Sequence, residues 1–270
     1  MTLKETLSNS LSRLRKNAPL VHSITNSVVM NNTANALLAL GASPIMSDGI
    51  EEMAPMVELS GSLVVNIGTL NARTVMAMKF AASHAQTIKH PWVLDPVGAG
   101  ATRFRLDTSQ LLLEYNPSVV KGNGSEILTL FAGEQGGRGV DSTHDDIKSL
   151  TQCAVQAARD HKTVIAATGE TDIITDGHRV AYLKNGHPMM VKVTGSGCTC
   201  AALVGAFLAT EDDPFHAAVA ALACMSIAGQ LACQNSRGPG SLQLNMLDEL
   251  YNLSDETLMQ HLSMEDEIWE

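Results

Sequence analysis

The chain has 270 residues, 45% of them hydrophobic and 4% aromatic, and its 18 basic and 28 acidic side chains leave a net charge of −10. That length suits one large α/β domain over 1–270, with no linker-like segment to divide it. The acidic balance opposes general binding to nucleic acid or anionic membranes, and so few aromatics offer neither a base-stacking surface nor a sugar platform, while a local basic pocket for phosphate stays open.

Lys4 and Glu5 occupy the first turn, with Arg13, Arg15 and Lys16 following, so no apolar signal region opens the chain and a cytoplasmic protein is expected. The uncharged run from Ala217 to Asn235 is broken by Cys224, Ser226, Gly229 and Gln230 and reads as a buried helix, not a membrane span. Cysteines at 153, 198, 200, 224 and 233 show no paired metal spacing, and an odd number argues against a disulfide framework. On a helix Cys198 and Cys200 would point about 200° apart, too far to clasp one metal. No HExxH occurs.

In chain order, Thr2 and Glu5 have capping-box spacing before Leu7, Leu11 and Leu14, which predicts an amphipathic helix. PLVHSIT leads into Asn26. From there a helix is expected, capped at Thr25 or Asn26 and closed by Gly41, with a short strand ending at Met46. Asn26, Asn31, Asn32 and Asn35 are many amides for so apolar a segment, so some of them line a polar site or an interface unless each is satisfied structurally. Asp48 and Glu51 read as caps of a further helix. SLVVNIG is a strand with no polar face, ending at Gly68 and Thr69, and a helix follows from Asn71.

HPWVLDPVGAGAT repeats the pattern, with a strand ending at Asp95 and a turn through Pro96, Gly98 and Gly100. Asp95 is either a metal-binding carboxylate or the turn opener common before proline. SVVKGNGSEI gives a strand, then Lys121, then a helix from Asn123. The Asn123–Glu126 spacing is that of a capping box, which does not prevent Glu126 from standing near a metal. Gly133 to Ser142 reads as a glycine-rich loop. Beyond the next helix, TVIAATGETDIITDGHRVAYL predicts a strand ending at Thr168, a turn, and a hairpin at Asp176 and Gly177. Asp213 and Pro214 suit the N-cap and first position of a long helix, SRGPGS ends it, and a final amphipathic helix is expected to close the chain. Buried strands alternating with helices predict a mainly parallel sheet covered on both faces, with ligands beyond the strands' carboxyl ends.

One stretch organises the rest: VTGSGCTCAALVGAF, Val193 to Phe207. A glycine-rich turn feeds directly into a helix whose first N–H groups are unpaired and whose dipole is positive at that end, so Gly195, Ser196 and Gly197 form a candidate anion hole. Gly197, Ala201, Gly205 and Ala209 recur every fourth residue and predict a close approach to a neighbour. Cys198 stands in the first turn, where the dipole would favour a thiolate. GSGCTC lacks the third glycine of the dinucleotide fingerprint, which speaks against an NAD oxidoreductase.

Taken together, ITNSVVMNNTAN, LLALGASPIM, NIGTL, LDPVGAGAT, KGNGSEI, ATGETD, VTGSGC and GPGS resemble the hydroxyethylthiazole kinase family of the ribokinase-like superfamily, in the expected order from Val21 to Leu250. The resemblance implies a three-layer α/β/α fold with a mainly parallel central sheet. It implies transfer of the ATP γ-phosphoryl group to the hydroxyl of 4-methyl-5-(2-hydroxyethyl)thiazole in thiamine synthesis, with Mg2+, by a homotrimer whose active sites lie between subunits. It places thiazole contacts on Asn26, Met46 and Gly195, and nucleotide contacts on Lys121 and Thr168, with Asn123 beside them. Asp95 and Glu126 fall near the metal and phosphates, and Cys198 where many relatives carry an aspartate base. Family members commonly have Arg at Lys121; lysine keeps the charge and lacks the planar fork. A related kinase for hydroxymethylpyrimidine or a sugar, and a nucleotide-binding regulator without turnover, remain as alternatives.

Overall fold

Short apolar runs bounded by glycine, proline and asparagine become the strands of a single sheet in the computed structural model, which describes residues 3–133 and 144–269. Among the described residues these are β1 (Leu20–Ile24), β2 (Ser43–Ile45), β3 (Ser62–Asn66), β4 (Trp92–Asp95), β5 (Val119–Asn123), β6 (Val164–Thr168), β7 (Asp172–Thr175), β8 (Arg179–Leu183) and β9 (Met264–Ile268). Their order is β2-β1-β3-β4-β5-β6-β7-β8-β9. The first six run parallel, and the last three join antiparallel. All carboxyl ends of the parallel strands therefore share one edge, where loops leading into helices gather.

The helices in chain order are α1 (Leu3–Leu7), α2 (Ser10–Asn17), α3 (Met30–Leu40), α4 (Met53–Leu59), α5 (Ala72–Ile88), α6 (Arg103–Leu113), α7 (Gly124–Ala132), α8 (His144–His161), α9 (Ser196–Leu208), α10 (Pro214–Gln234), α11 (Pro239–Asn252) and α12 (Asp255–His261). Strand alternation sorts them into two layers. Val21, Val64, Val93 and Val119 face a core shared with α1 to α3 and α9 to α12. Ile24, Leu63, Val65, Leu94 and Val120 face a second core shared with α4 to α8. This is the expected three-layer arrangement, and it explains why β3 and β4 are buried on both faces.

Helix α9 lies directly across the sheet. At Gly205 an added Cβ would overlap Val64 Cγ2, and Ser62 Oγ donates to the Gly205 carbonyl at 2.6 Å, so the small residues at every fourth position do permit close approach. Helix α10, long and apolar enough to cross a membrane by composition alone, has 83% of its most apolar window buried within the fold. Asp213 caps it with Pro214 in the first turn, as expected.

Several boundaries differ from the sequence expectation. The helix expected from Asn26 begins only at Met30, because the Asn26 side chain accepts from Val28 N at 3.1 Å and holds a turn instead. The first expected helix is split into α1 and α2, although Leu7, Leu11 and Leu14 are all buried; Thr2 lies outside the described residues. Asp48 and Glu51 do not cap a helix start: a short 3-10 turn, Ile50–Glu52, begins after Gly49. The chain closes on strand β9 and not on a helix, since β8 would otherwise leave its edge unpaired. Of the expected glycine-rich loop at 133–142, only Gly133 is described; at φ 72° it ends α7.

Candidate active site

Parallel register sets the site's polar groups side by side. Asn66 ends β3 opposite Asp95 at the end of β4, and Asn123 ends β5 opposite Thr168 at the end of β6. Two residues past β1, Asn26 donates to Asn66 Oδ1 at 2.8 Å and to Cys198 Sγ at 3.5 Å. Asn66 in turn donates to Asp95 Oδ2 at 2.5 Å, so a continuous chain joins the Asn26 amide, the α9 cysteine and the buried carboxylate. Gly68 is required beside it: a Cβ there would stand 2.6 Å from Asn26 Nδ2.

Burial pushes the Asp95 carboxyl up to about 7, even though Lys121 and the Asn66 amide pull it back. Lys121, from the middle of β5, is 2% exposed. Burial works against its charge, but Asp95 first, with Glu126 in support, offsets this and raises its pKa, so it stays an ammonium. Among the described residues its Nζ enters no salt bridge. A buried cation without a close counter-ion, 3.1 Å from where a Gly197 Cβ would stand, points its charge at the start of α9. Asp95 and Glu126 hold the charge without touching it, so an anion at the start of α9 could still make the close contact.

Asn123 and Glu126 do form the expected capping box. Glu126 Oε2 accepts from Asn123 N and Oε1 accepts from Gly98 N, both at 2.8 Å, so the carboxylate is pinned between the β4 and β5 loops. The Thr168 hydroxyl donates to the Gly122 carbonyl at 3.2 Å, which leaves its lone pairs toward the edge. Asp172, at the start of β7, accepts from Gly169 N at 3.0 Å; burial raises its carboxyl to about 7, against the pull of Gly169 N–H and Lys121.

At the start of α9, Gly195 has φ 83° and no side chain caps the helix. The Ser196 hydroxyl turns back to the carbonyls of Val193 and Met190, so what Ser196 has left to offer an anion is its backbone N–H. Three N–H groups, of Ser196, Gly197 and Cys198, thus head the helix toward Lys121. Cys198 is not the thiolate that the helix dipole would favour. Burial, then Asp95, push its thiol up, and the amides of Asn66 and Asn26 with Lys121 recover only part. A neutral thiol that accepts a hydrogen bond from Asn26 is the resting form.

Met46 lies just past β2, half-buried against the core that contains α9. The carbonyl of its neighbour Ser47 accepts from His22 Nε2 at 3.0 Å, which anchors that segment to β1. The other amides separate by role: Asn35 bonds Asn31 along the surface of α3, whereas Asn32 lines a small cavity with Thr194, Ser196 and Thr199 behind the head of α9. Asn66 and Asp172 escaped the sequence reading. Asn66 carried a usable signal, a polar residue closing an all-apolar strand just as Asp95 does; Asp172 lay hidden in the TGETD turn.

Among the described residues no group of three or more His, Cys, Asp or Glu could hold a metal by itself. Asp95 and Glu126 nevertheless suit Mg2+, which binds one or two carboxylates with the remaining positions filled by phosphate oxygens and water.

The fold is shared with ribokinase-like proteins: a solved ribokinase-like superfamily protein of Enterococcus faecalis superposes with a TM-score of 0.61 at 13% identity, covering 92% of this chain and 94% of that one. More narrowly, the chain belongs to the hydroxyethylthiazole kinase family, whose family model matches residues 11–256. A hydroxyethylthiazole kinase of Desulfotalea psychrophila is 48% identical over 254 residues, 94% of this chain and 93% of that one. The solved hydroxyethylthiazole kinase of Pyrococcus horikoshii has a TM-score of 0.91 at 39% identity, covering 97% of this chain and 99% of that one.

Proposed function

We infer that this protein, as one catalytic domain acting in the cytoplasm, transfers the γ-phosphoryl group of ATP to the hydroxyl of 4-methyl-5-(2-hydroxyethyl)thiazole in thiamine salvage. The observation that carries this reading is the unpaired, buried Lys121 ammonium facing the uncapped N–H groups of α9. That pair suits the equatorial oxygens of a phosphoryl group in flight, and membership of the family supplies the acceptor.

Asn26, Met46 and Gly195 would hold the thiazole alcohol on the β1–β2 side. Thr168 and Asn123 would meet the nucleotide phosphates on the β5–β6 side. Lys121 would neutralise them, and the N–H groups of Ser196 and Gly197 beside the Gly195 turn would receive the moving group. Mg2+ held near Asp95 and Glu126 would supply charge neutralisation at the β and γ oxygens. In a largely dissociative transition state the acceptor loses its proton late, so alignment outweighs base strength. A Cys198 thiol with a raised pKa fits that requirement: its sulfur, fixed by Asn26, orients the hydroxyl.

The homotrimer with sites between subunits belongs to the same reading. Its support is a set of exposed apolar side chains on elements that follow the strand ends: Val28 and Met30 after the Asn26 turn, Met76 and Phe80 on α5, and Phe104 at the head of α6. A second copy would cover them and close the thiazole side to water.

Product mass after incubation with Mg-ATP and equimolar hydroxyethylthiazole, hydroxymethylpyrimidine and ribose tests the reading. Phosphorylated thiazole alone is expected. Another phosphorylated alcohol would overturn the substrate, and ATP binding without product would overturn the activity. Cys198→Ala is expected to lower kcat by less than about 100-fold, the loss typical of removing an oxyanion donor. A larger loss would return Cys198 to the role of base.

A further inference from the structure

We propose that Arg105 is a positioning residue that locks the acceptor loop and the metal loop of the active site into one register, a role that rests on the function inferred above. Arg105 lies on α6, half-buried, and among the described residues it enters no salt bridge. Its guanidinium is used entirely on backbone. Nη1 donates to the carbonyls of Ile67 at 3.1 Å and Val97 at 2.6 Å, and Nη2 donates to the carbonyl of Gly68 at 2.5 Å. Those carbonyls sit just past the ends of β3 and β4, where the sheet ladder has run out and backbone acceptors need another partner.

Each contact leads to a site residue. Gly68 packs against Asn26 so closely that a Cβ would not fit, and its N–H donates to Asn66 Oδ1 at 2.9 Å. Moving Gly68 therefore moves the Asn26–Asn66–Asp95 chain that reaches Cys198. On the other side, Val97 precedes Gly98, whose N–H holds Glu126 at 2.8 Å, and a Cβ on Gly98 would lie 3.4 Å from Arg105 Nη1. One planar fork thus spans the loop behind the alcohol and the loop behind the metal carboxylate. Lysine, with one nitrogen on an unforked stem, could keep at most the Ile67 and Val97 contacts and would lose the Nη2 bond to Gly68, the one that leads to Asn26.

Arg15 supplies the control. It too is committed to carbonyls, those of Leu40, Leu250, Tyr251 and Leu253, but these close α3 and α11 away from the strand ends. In Arg105→Ala, kcat is expected to fall by about 10- to 100-fold, the scale of a 1 Å misplacement. Added ethylguanidinium is expected to restore part of the rate. Arg15→Ala is expected to lose thermal stability with kcat within about twofold of wild type and no response to ethylguanidinium.

Hydrogen exchange gives a readout that needs no substrate: peptides containing Gly68 and Gly98 should exchange on the order of tenfold faster in Arg105→Ala than in wild type. Should wild type fail to phosphorylate the thiazole alcohol, the functional reading falls while the exchange experiment still decides the loop lock. Unchanged exchange at both loops, or a kcat within about twofold of wild type, would overturn the proposal. If Arg105→Ala does not fold, Arg105→Lys decides by the same two measurements, with about tenfold loss expected and wild-type behaviour overturning it.

Discussion

Replacing Lys121 with methionine is expected to lower kcat by about 100- to 1000-fold, the range for removing a donor from a preorganised anion site, while the protein still folds. The fold should survive because methionine fills a similar volume, and because no salt bridge at Nζ is broken. Asp95 would lose the attraction of the Lys121 ammonium, yet burial already raises its carboxyl to about 7 and it can take up a proton in place of standing as an uncompensated charge. The rate suffers for a different reason. Lys121 is the buried cation directed at Gly197, and without it the N–H groups of α9 would face transferring phosphoryl oxygens with no full positive charge behind them. Steady-state kinetics with varied Mg-ATP would check this, and a kcat within tenfold of wild type would remove Lys121 from the reaction. Lys121→Arg is expected to retain most activity, since the absent side chain at Gly197 leaves room for the longer group and the charge is kept.

The sequence alone conveyed most of the frame, for a physical reason that particular residues make plain. β3 and β4 are apolar on both faces, so their length and their polar ends, Asn66 and Asp95, mark the ligand edge directly. The Asn123–Glu126 box and the Asp213–Pro214 start obey local capping rules and were therefore readable. What could not be read depends on contacts distant in the chain. The Asn26 amide nitrogen is used across 40 residues on Asn66, a contact that no local pattern announces. The lowered thiol pKa expected from a helix terminus gave way to desolvation, which is set by what packs over Cys198 and not by its own neighbours. Strand β9, MEDEI, carries three consecutive acidic side chains with no alternation and becomes a strand only because β8 presents an open edge, where those charges also discourage further pairing. Arg105 was invisible in the same sense: nothing local distinguishes it from Arg103, which only pairs with Asp107 on the helix surface.

Gly195→Ala is expected to be as damaging to turnover as the loss of Lys121, and by geometry alone. With φ at 83° an L-residue costs about 1–2 kcal/mol, and the new Cβ would overlap Val29 Cγ1 and lie 3.3 Å from Val29 Cβ. Val29 cannot yield cheaply, because it is 2% exposed and its N–H is tied to the Asn26 carbonyl. The head of α9 must then move away from the Asn26 turn, carrying the N–H groups of Ser196 and Gly197 with it. A displacement near 1 Å costs about 100-fold by misalignment, so a fall in kcat of about 100- to 1000-fold is expected, with only a modest drop in Tm. The double variant Gly195→Ala, Val29→Ala separates the two causes: it removes the overlap but leaves the left-handed backbone strained. Partial recovery of kcat in the double variant, beyond the sum of the single effects, would place the damage in the contact between α9 and the Asn26 turn. No recovery would assign it to the backbone, and a single variant within tenfold of wild type would mean that the start of α9 does not bind the moving phosphoryl group.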